Sequence, residues 1–138
     1  MSNVEVKITK TIGGSLLMEK TEKAVISKED IDDILSSALE GASIAYWCNR
    51  AEVVEENYFG EYGHEQISRG GSIRLHDGEE NEDYILTLDK FMKGIKLAME
   101  DGYGEKWFVN GKLDGCQIDG VMADVIVQFA IFGEVIYG

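Results

Sequence analysis

Proline is absent from this chain, and cysteine and histidine occur only twice each, as Cys48, Cys116, His64 and His76. Without proline's fixed ring, tight turns must be built by glycine, present 16 times, and by asparagine through positive φ. Positive charge is also scarce. Thirteen Lys and Arg face 26 Asp and Glu, a net charge of -13, which argues against a general nucleic-acid binder, because that work needs clustered positive charge. No apolar run reaches the roughly 18 residues of a membrane span. The opening Met-Ser-Asn-Val-Glu-Val-Lys has no apolar leader segment, and Ser2 offers no myristoylation site. The expected compartment is therefore the reducing cytoplasm, with no membrane partner and no disulfide.

Catalytic signatures are missing as well. The chain has no G-x-G-x-x-G, G-x-x-x-x-G-K-[ST], G-x-S-x-G, H-E-x-x-H or C-x-x-C, which removes the common dinucleotide, P-loop, hydrolase-elbow and zinc motifs. His64, His76, Cys48 and Cys116 lie at no local spacing that would pre-position a metal, so neither a metal nor a cofactor is expected.

What is present reads as one globular domain over residues 1–138, with 44% apolar and 28% charged residues. Val4, Val6 and Ile8 alternate with polar residues as in a strand, Gly13-Gly14 breaks it, and Lys23 to Ile26 is a second extended stretch. Ser27 followed by Lys28, Glu29 and Asp30 is a helix N-cap with acids in the first turn. Ile31, Ile34, Leu35, Ala38 and Leu39 then mark one apolar face of a helix over 28–40. Tyr46, Trp47, Val53 and Val54 predict extended structure from Ile44 to Glu56. Asn57 to Gly71 reads as an irregular loop or bulged hairpin. Ser72–His76 and Asp83–Leu86 form a hairpin around an acidic turn. Thr87 caps a helix carrying Leu88, Phe91, Met92, Ile95, Ala98 and Met99. Asn110-Gly111 is a hairpin signal, Asp119 caps an almost wholly apolar helix from Gly120 to about Phe132, and Glu134–Tyr137 reads as a closing strand. The predicted class is α+β: a mainly antiparallel sheet with about three helices, the C-terminal one buried.

Chemistry concentrates in three places. Asp124 and Gln128, four residues apart, form the one polar stripe of the last helix, and a buried carboxylate there needs a partner such as Arg50, Arg69 or Arg74. The plainer role is a core ion pair; the sharper one is a ligand site. Arg69 with Gly70 and Gly71, flanked by Ser68 and Ser72, could converge backbone N–H groups on an anion, or simply make a tight turn. In a strand, Tyr46 and Trp47 would face opposite ways, one serving the core and the other stacking on a ligand near Arg50. The candidate ligand-binding set is therefore Trp47, Arg50, Arg69, Gly70, Gly71, Asp124 and Gln128, with no catalytic residue assigned. Acidic clusters at Glu29–Asp33, Glu52–Glu65 and Asp77–Asp83 are either solvated faces or a DNA-like surface that occupies a basic channel.

Glu40-Gly41 with Tyr46-Trp47, then Gln66-Ile67-Ser68-Arg69-Gly70-Gly71, then Ala123-Asp124-x-Ile126-x-Gln128-x-Ala130-x-Phe132-Gly133 and finally Tyr137-Gly138 resemble an uncharacterised family of small acidic proteins. Its members are carried by phages, prophages and plasmids of gut bacteria. The resemblance spans about residues 20–138 and implies an accessory gene of a mobile element, of the kind that counters host defence by blocking a nuclease or sequestering a nucleotide signal. It assigns no site residue. The leading expectation is a non-enzymatic protein that captures a small anionic, nucleotide-like ligand in the bacterial host cytoplasm. The alternatives are an acidic inhibitor of a basic host protein such as a nuclease, and a small hydrolase built on Asp124 and a carboxylate such as Glu40. A homo-oligomer is expected from the apolar last helix and the Val135-Ile136-Tyr137 tail.

Overall fold

The computed structural model describes residues 2–12, 16–104, 107–109 and 112–138. The order is β1 (Ser2–Ile12), β2 (Leu16–Ile26), α1 (Lys28–Leu39), β3 (Cys48–Val53), β4 (Ile73–Asp77), β5 (Glu82–Leu86), α2 (Leu88–Glu100), β6 (Phe108–Val109), β7 (Lys112–Leu113) and α3 (Gly120–Phe132). Short 3-10 turns occupy Gly63–Glu65, Ile67–Arg69 and Gly115–Gln117. The strands form two sheets, ordered β1-β2-β7-β6 and β3-β4-β5. Every pairing is antiparallel except β2 with β7, so the architecture is the expected α+β.

The helices begin where their caps place them. Ser27 and Asp30 form a reciprocal capping box: Ser27 Oγ accepts from the Asp30 N–H at 3.1 Å, and Asp30 Oδ2 accepts from the Ser27 N–H at 3.2 Å. Thr87 and Asp119 cap α2 and α3 in the same sense, through Lys90 N–H and Met122 N–H. Each such cap contributes on the order of 1 kcal/mol. α3, apolar on nearly every side, is buried from Ala123 through Phe129 and packs on α2 and α1. At the α2–α3 crossing Gly94 leaves no room for a side chain: a Cβ there would lie 2.8 Å from Ala130 Cβ and 2.8 Å from Ile126 O.

Four expectations are corrected or extended. The first hairpin is longer than the alternation suggested, with register running from Ser2 opposite Ile26 to Ile12 opposite Leu16; the predicted Gly13-Gly14 break lies outside the described residues. Asn110-Gly111 also lies outside them, though β6 and β7 on either side pair antiparallel. Residues 44–47 are not extended. Ala42 adopts φ 57, and Trp47 and Cys48 donate N–H bonds back to Ile44 O, so the chain makes a tight turn before β3. Finally, 134–137 is no strand, because the N–H groups of Ile136 and Tyr137 bond to a side chain, Gln128 Oε1, both at 2.9 Å.

Candidate functional site

The turn at 44–47 decides where the aromatics go. Trp47 is buried, at 1% exposure, while Tyr46 lies across the surface at 51%, yet both converge on one carboxylate. Tyr46 Oη donates to Asp124 Oδ2 at 2.5 Å, and Trp47 Nε1 donates to Asp124 Oδ1 at 2.8 Å. Gln128 Nε2 adds a third bond to Asp124 Oδ1 at 2.9 Å and also reaches Tyr137 O at 3.2 Å. Asp124 is thus held by three neutral donors, and the arginine partner expected from the sequence is not the one it uses. Tyr46 in turn is pushed up to about 12, by burial first and then by its bond to Asp124 and that residue's charge.

This network extends to the tail. Tyr137 stacks on Trp47 with centroids 5.7 Å apart and planes 16° from parallel, and its hydroxyl donates to Asp77 Oδ2 at 2.7 Å. Asp77, fully buried at the end of β4, also accepts from the Glu79 and Glu80 N–H groups of the hairpin turn. Three of the seven candidate residues, Trp47, Asp124 and Gln128, therefore meet, and the donors and acceptors they present to one another are satisfied. A cavity of about 690 Å³ borders this network from outside, walled by Tyr46, Tyr103, Val121, Met122 and Val135.

The other four candidates lie elsewhere. Gly70 caps the Ile67–Arg69 turn at φ 88, where its N–H donates to Ile67 O; the Gly71 N–H donates to Gln66 O. The Ser72 N–H goes to Glu55 Oε2 at 3.0 Å and Ser68 Oγ to Asp32 Oδ1 at 2.6 Å. Arg69 pairs with Glu65 at 3.0 Å and faces Asp32 at 3.6 Å. The backbone N–H groups of the imagined anion cradle, and Ser68 Oγ, are thus spent within the chain, and its arginine faces two acids. Arg50 pairs with Glu52 at 2.9 Å, and Arg74 lies 4.0 Å from the same carboxylate.

Arg50 does border the larger cavity, a groove of about 750 Å³ between the end of α1, the residue 55–64 loop and β3. Six consecutive residues of β3, Cys48 to Val53, line it. Side chains of a strand alternate between faces, so a continuous run of lining residues means that the groove follows the strand's open edge. Its acids are Glu40, Glu52, Glu55 and Glu56; its basic groups, Arg50 and His64, are already engaged by Glu52 and by Glu40, the latter at 2.5 Å. Cys48 in the wall is buried, which pushes its thiol up and away from the thiolate form a nucleophile needs. Asp124 and Glu40, the carboxylates of the hydrolase alternative, line different cavities.

Gln66, marked in the sequence only as part of the resemblance to a family, closes the loop beside this groove. Fully buried, it accepts from the Phe59 N–H at 2.8 Å and donates to the carbonyls of Phe59 and Tyr62, both at 2.7 Å, closing the irregular loop over itself. Glu65 completes the loop by accepting from the Tyr62 and Glu61 N–H groups. Desolvation would raise its carboxyl, but these bonds with the Arg69 and His64 charges outweigh it and hold the group below its usual range. The loop then presents Tyr58, Phe59 and Tyr62 at 44–56% exposure. Among the described residues no group of three or more His, Cys, Asp or Glu could hold a metal ion, and no helix is long and apolar enough to cross a membrane. Compared with known proteins, the chain matches no family model, no curated protein and no solved structure.

Proposed function

We propose that this protein is a non-enzymatic acidic binding module whose partner is a basic protein, in the manner of an inhibitor encoded by a mobile element. The observation that carries the reading is the groove along β3: four glutamates line it against one arginine and one histidine, and after Glu52 has paired with Arg50 and Glu40 with His64, the carboxylates of Glu55 and Glu56 remain in surplus. A surface of this kind attracts positive charge, and a chain of net charge -13 steers a basic partner toward it. The exposed Tyr58, Phe59 and Tyr62 beside it supply the aromatic anchors that protein interfaces favour. Capture of a nucleotide-like anion is supported less well, since the Arg69-Gly70-Gly71 donors are spent internally and Arg50 faces glutamates.

The test compares two variants of equal charge change. Glu40, Glu52 and Glu56 become Gln in one; the exposed Glu79 and Glu80 of the β4–β5 turn and Glu82 at the start of β5 become Gln in the other. Titrated with a short lysine-rich peptide at low salt, the groove variant should lose about tenfold in affinity and the turn variant two- to threefold at most, as rim charges worth a few tenths of a kcal/mol each would give. Equal losses would mean undirected charge attraction and would remove this reading.

A further inference from the structure

Among the described residues β3 is the terminal strand of its sheet, hydrogen-bonded to β4 on one side only. Val54 N–H donates to Ser72 O at 3.1 Å, and the register Val53–Ile73, Glu52–Arg74, Ala51–Leu75, Arg50–His76 continues from it without a break. In an antiparallel ladder the bonded positions alternate, so Glu52 and Arg50 take the bonds to β4, while the peptide groups of Ala51 and Val53 face away from the sheet. Both residues line the groove.

An exposed edge is normally blunted by being short, by charged side chains or by a covering segment, because a free row of N–H and C=O groups is a template for another strand. Here Asn49, Arg50, Ala51 and Glu52 are exposed, and the edge is left beside a cavity with room for a peptide backbone rather than covered. The flanking charge selects among possible strands. Of the glutamates that border the groove, Glu55 and Glu56 have no basic partner among the described residues, so basic side chains of such a strand find carboxylates there.

We infer that the β3 edge is a docking strand, and that its occupant is an extended segment of a partner protein, carrying Lys or Arg at alternate positions, that adds to the sheet beside Ala51 and Val53. Main-chain bonds supply the affinity and the glutamates the selectivity. The inference rests on the acidic-module reading and names the form in which the partner binds.

An acetylated peptide alternating lysine and threonine is the probe, with a peptide in which glutamine replaces every lysine as its neutral counterpart. At a peptide concentration tenfold above Kd, amide hydrogen exchange at Ala51 and Val53 should slow about elevenfold, since only the free form exposes these groups. Ala51→Pro deletes an N–H that serves no bond within the sheet and should weaken binding about five- to tenfold, the loss of one main-chain bond. The exchange measurement on the unmodified chain stands if that variant does not fold. Binding that is stronger for lysine than for glutamine but leaves the Ala51 and Val53 amides unprotected would overturn the docking strand and leave the acidic module standing. A lysine peptide that binds no better than the glutamine peptide, or no binding of either, would overturn both.

Discussion

Removing the Asp124 carboxylate tests the network on which the tail and the 44–47 turn depend. In Asp124→Ala three donors lose their acceptor, but unequally. Tyr46 is half exposed and its hydroxyl returns to water; Gln128 keeps Tyr137 O at 3.2 Å; Trp47 Nε1, on a residue 1% exposed, is left without its acceptor. A buried unsatisfied donor costs about 1–3 kcal/mol, and the charge-assisted bonds lost with it add on the order of 1 kcal/mol, so about 3 kcal/mol is expected. With about 2.1 cal/mol/K of unfolding entropy per residue over 138 residues, Tm should fall by about 10 °C. Asp124→Asn keeps the shape and one acceptor and should lose about half as much. Urea unfolding followed by tryptophan emission gives both values, with Glu80→Ala, on an exposed turn, as the reference near zero. A loss below about 1 kcal/mol for Asp124→Ala, with an unchanged m-value, would refute the claim that the carboxylate organises these segments.

Further outcomes follow from other contacts. Gly94→Ala should gain up to about 1 kcal/mol in helix propensity yet lose stability by about 1–3 kcal/mol net, because the new Cβ meets Ala130 and Ile126 backbone atoms; a raised Tm would show that the crossing can relax. Arg69→Ala should cost no more than about 1 kcal/mol globally, as partly exposed ion pairs do, while amide exchange across 58–66 accelerates; unchanged exchange there would deny Arg69 its role in holding the loop. High pH should act on the tyrosines. Tyr46 titrates in the folded chain at about 12, and Tyr137 is raised further through its bond to Asp77, so the neutral phenols contribute stability that is whole below the ordinary tyrosine value near 10 and is lost as pH climbs through 12. Tyr46→Phe should flatten part of that decline in the urea midpoint, and an equally steep decline in the variant would count against the assignment.

Much of the fold was legible from local signals. Ser27, Thr87 and Asp119 marked helix starts because capping is a matter of a few residues, and the uniform apolarity of α3 announced its burial. The candidate site was legible in composition but not in connection. Asp124 needed a partner, and charge alone pointed to arginine, but the chain supplies Tyr46 and Trp47 from a turn whose geometry depends on Ala42 at positive φ. The Arg69-Gly70-Gly71 segment has the residues of an anion cradle; that its N–H groups are consumed by Ile67 and Gln66 carbonyls is a fact of backbone path, invisible in residue type. Gln128 was legible as a site residue but its bonds to the tail were not, and Gln66 stood out only within the family resemblance, for the same reason. Each uses one amide to satisfy several backbone groups of a segment without regular structure. The only available hint was that a loop lacking a ladder must find bonds somewhere.

The position of Trp47 also makes the molecule its own fluorimeter. Its indole donates to Asp124 and lies flat against Tyr137, while Trp107, the other emitter, is buried at 2% exposure and has no ring contact with the tail among the described residues. Release of residues 134–138 would uncover one indole face and leave the other chromophore untouched. Emission from Trp47 would then shift toward the red against a constant background, and docking of the tail could be timed in solution with no added label.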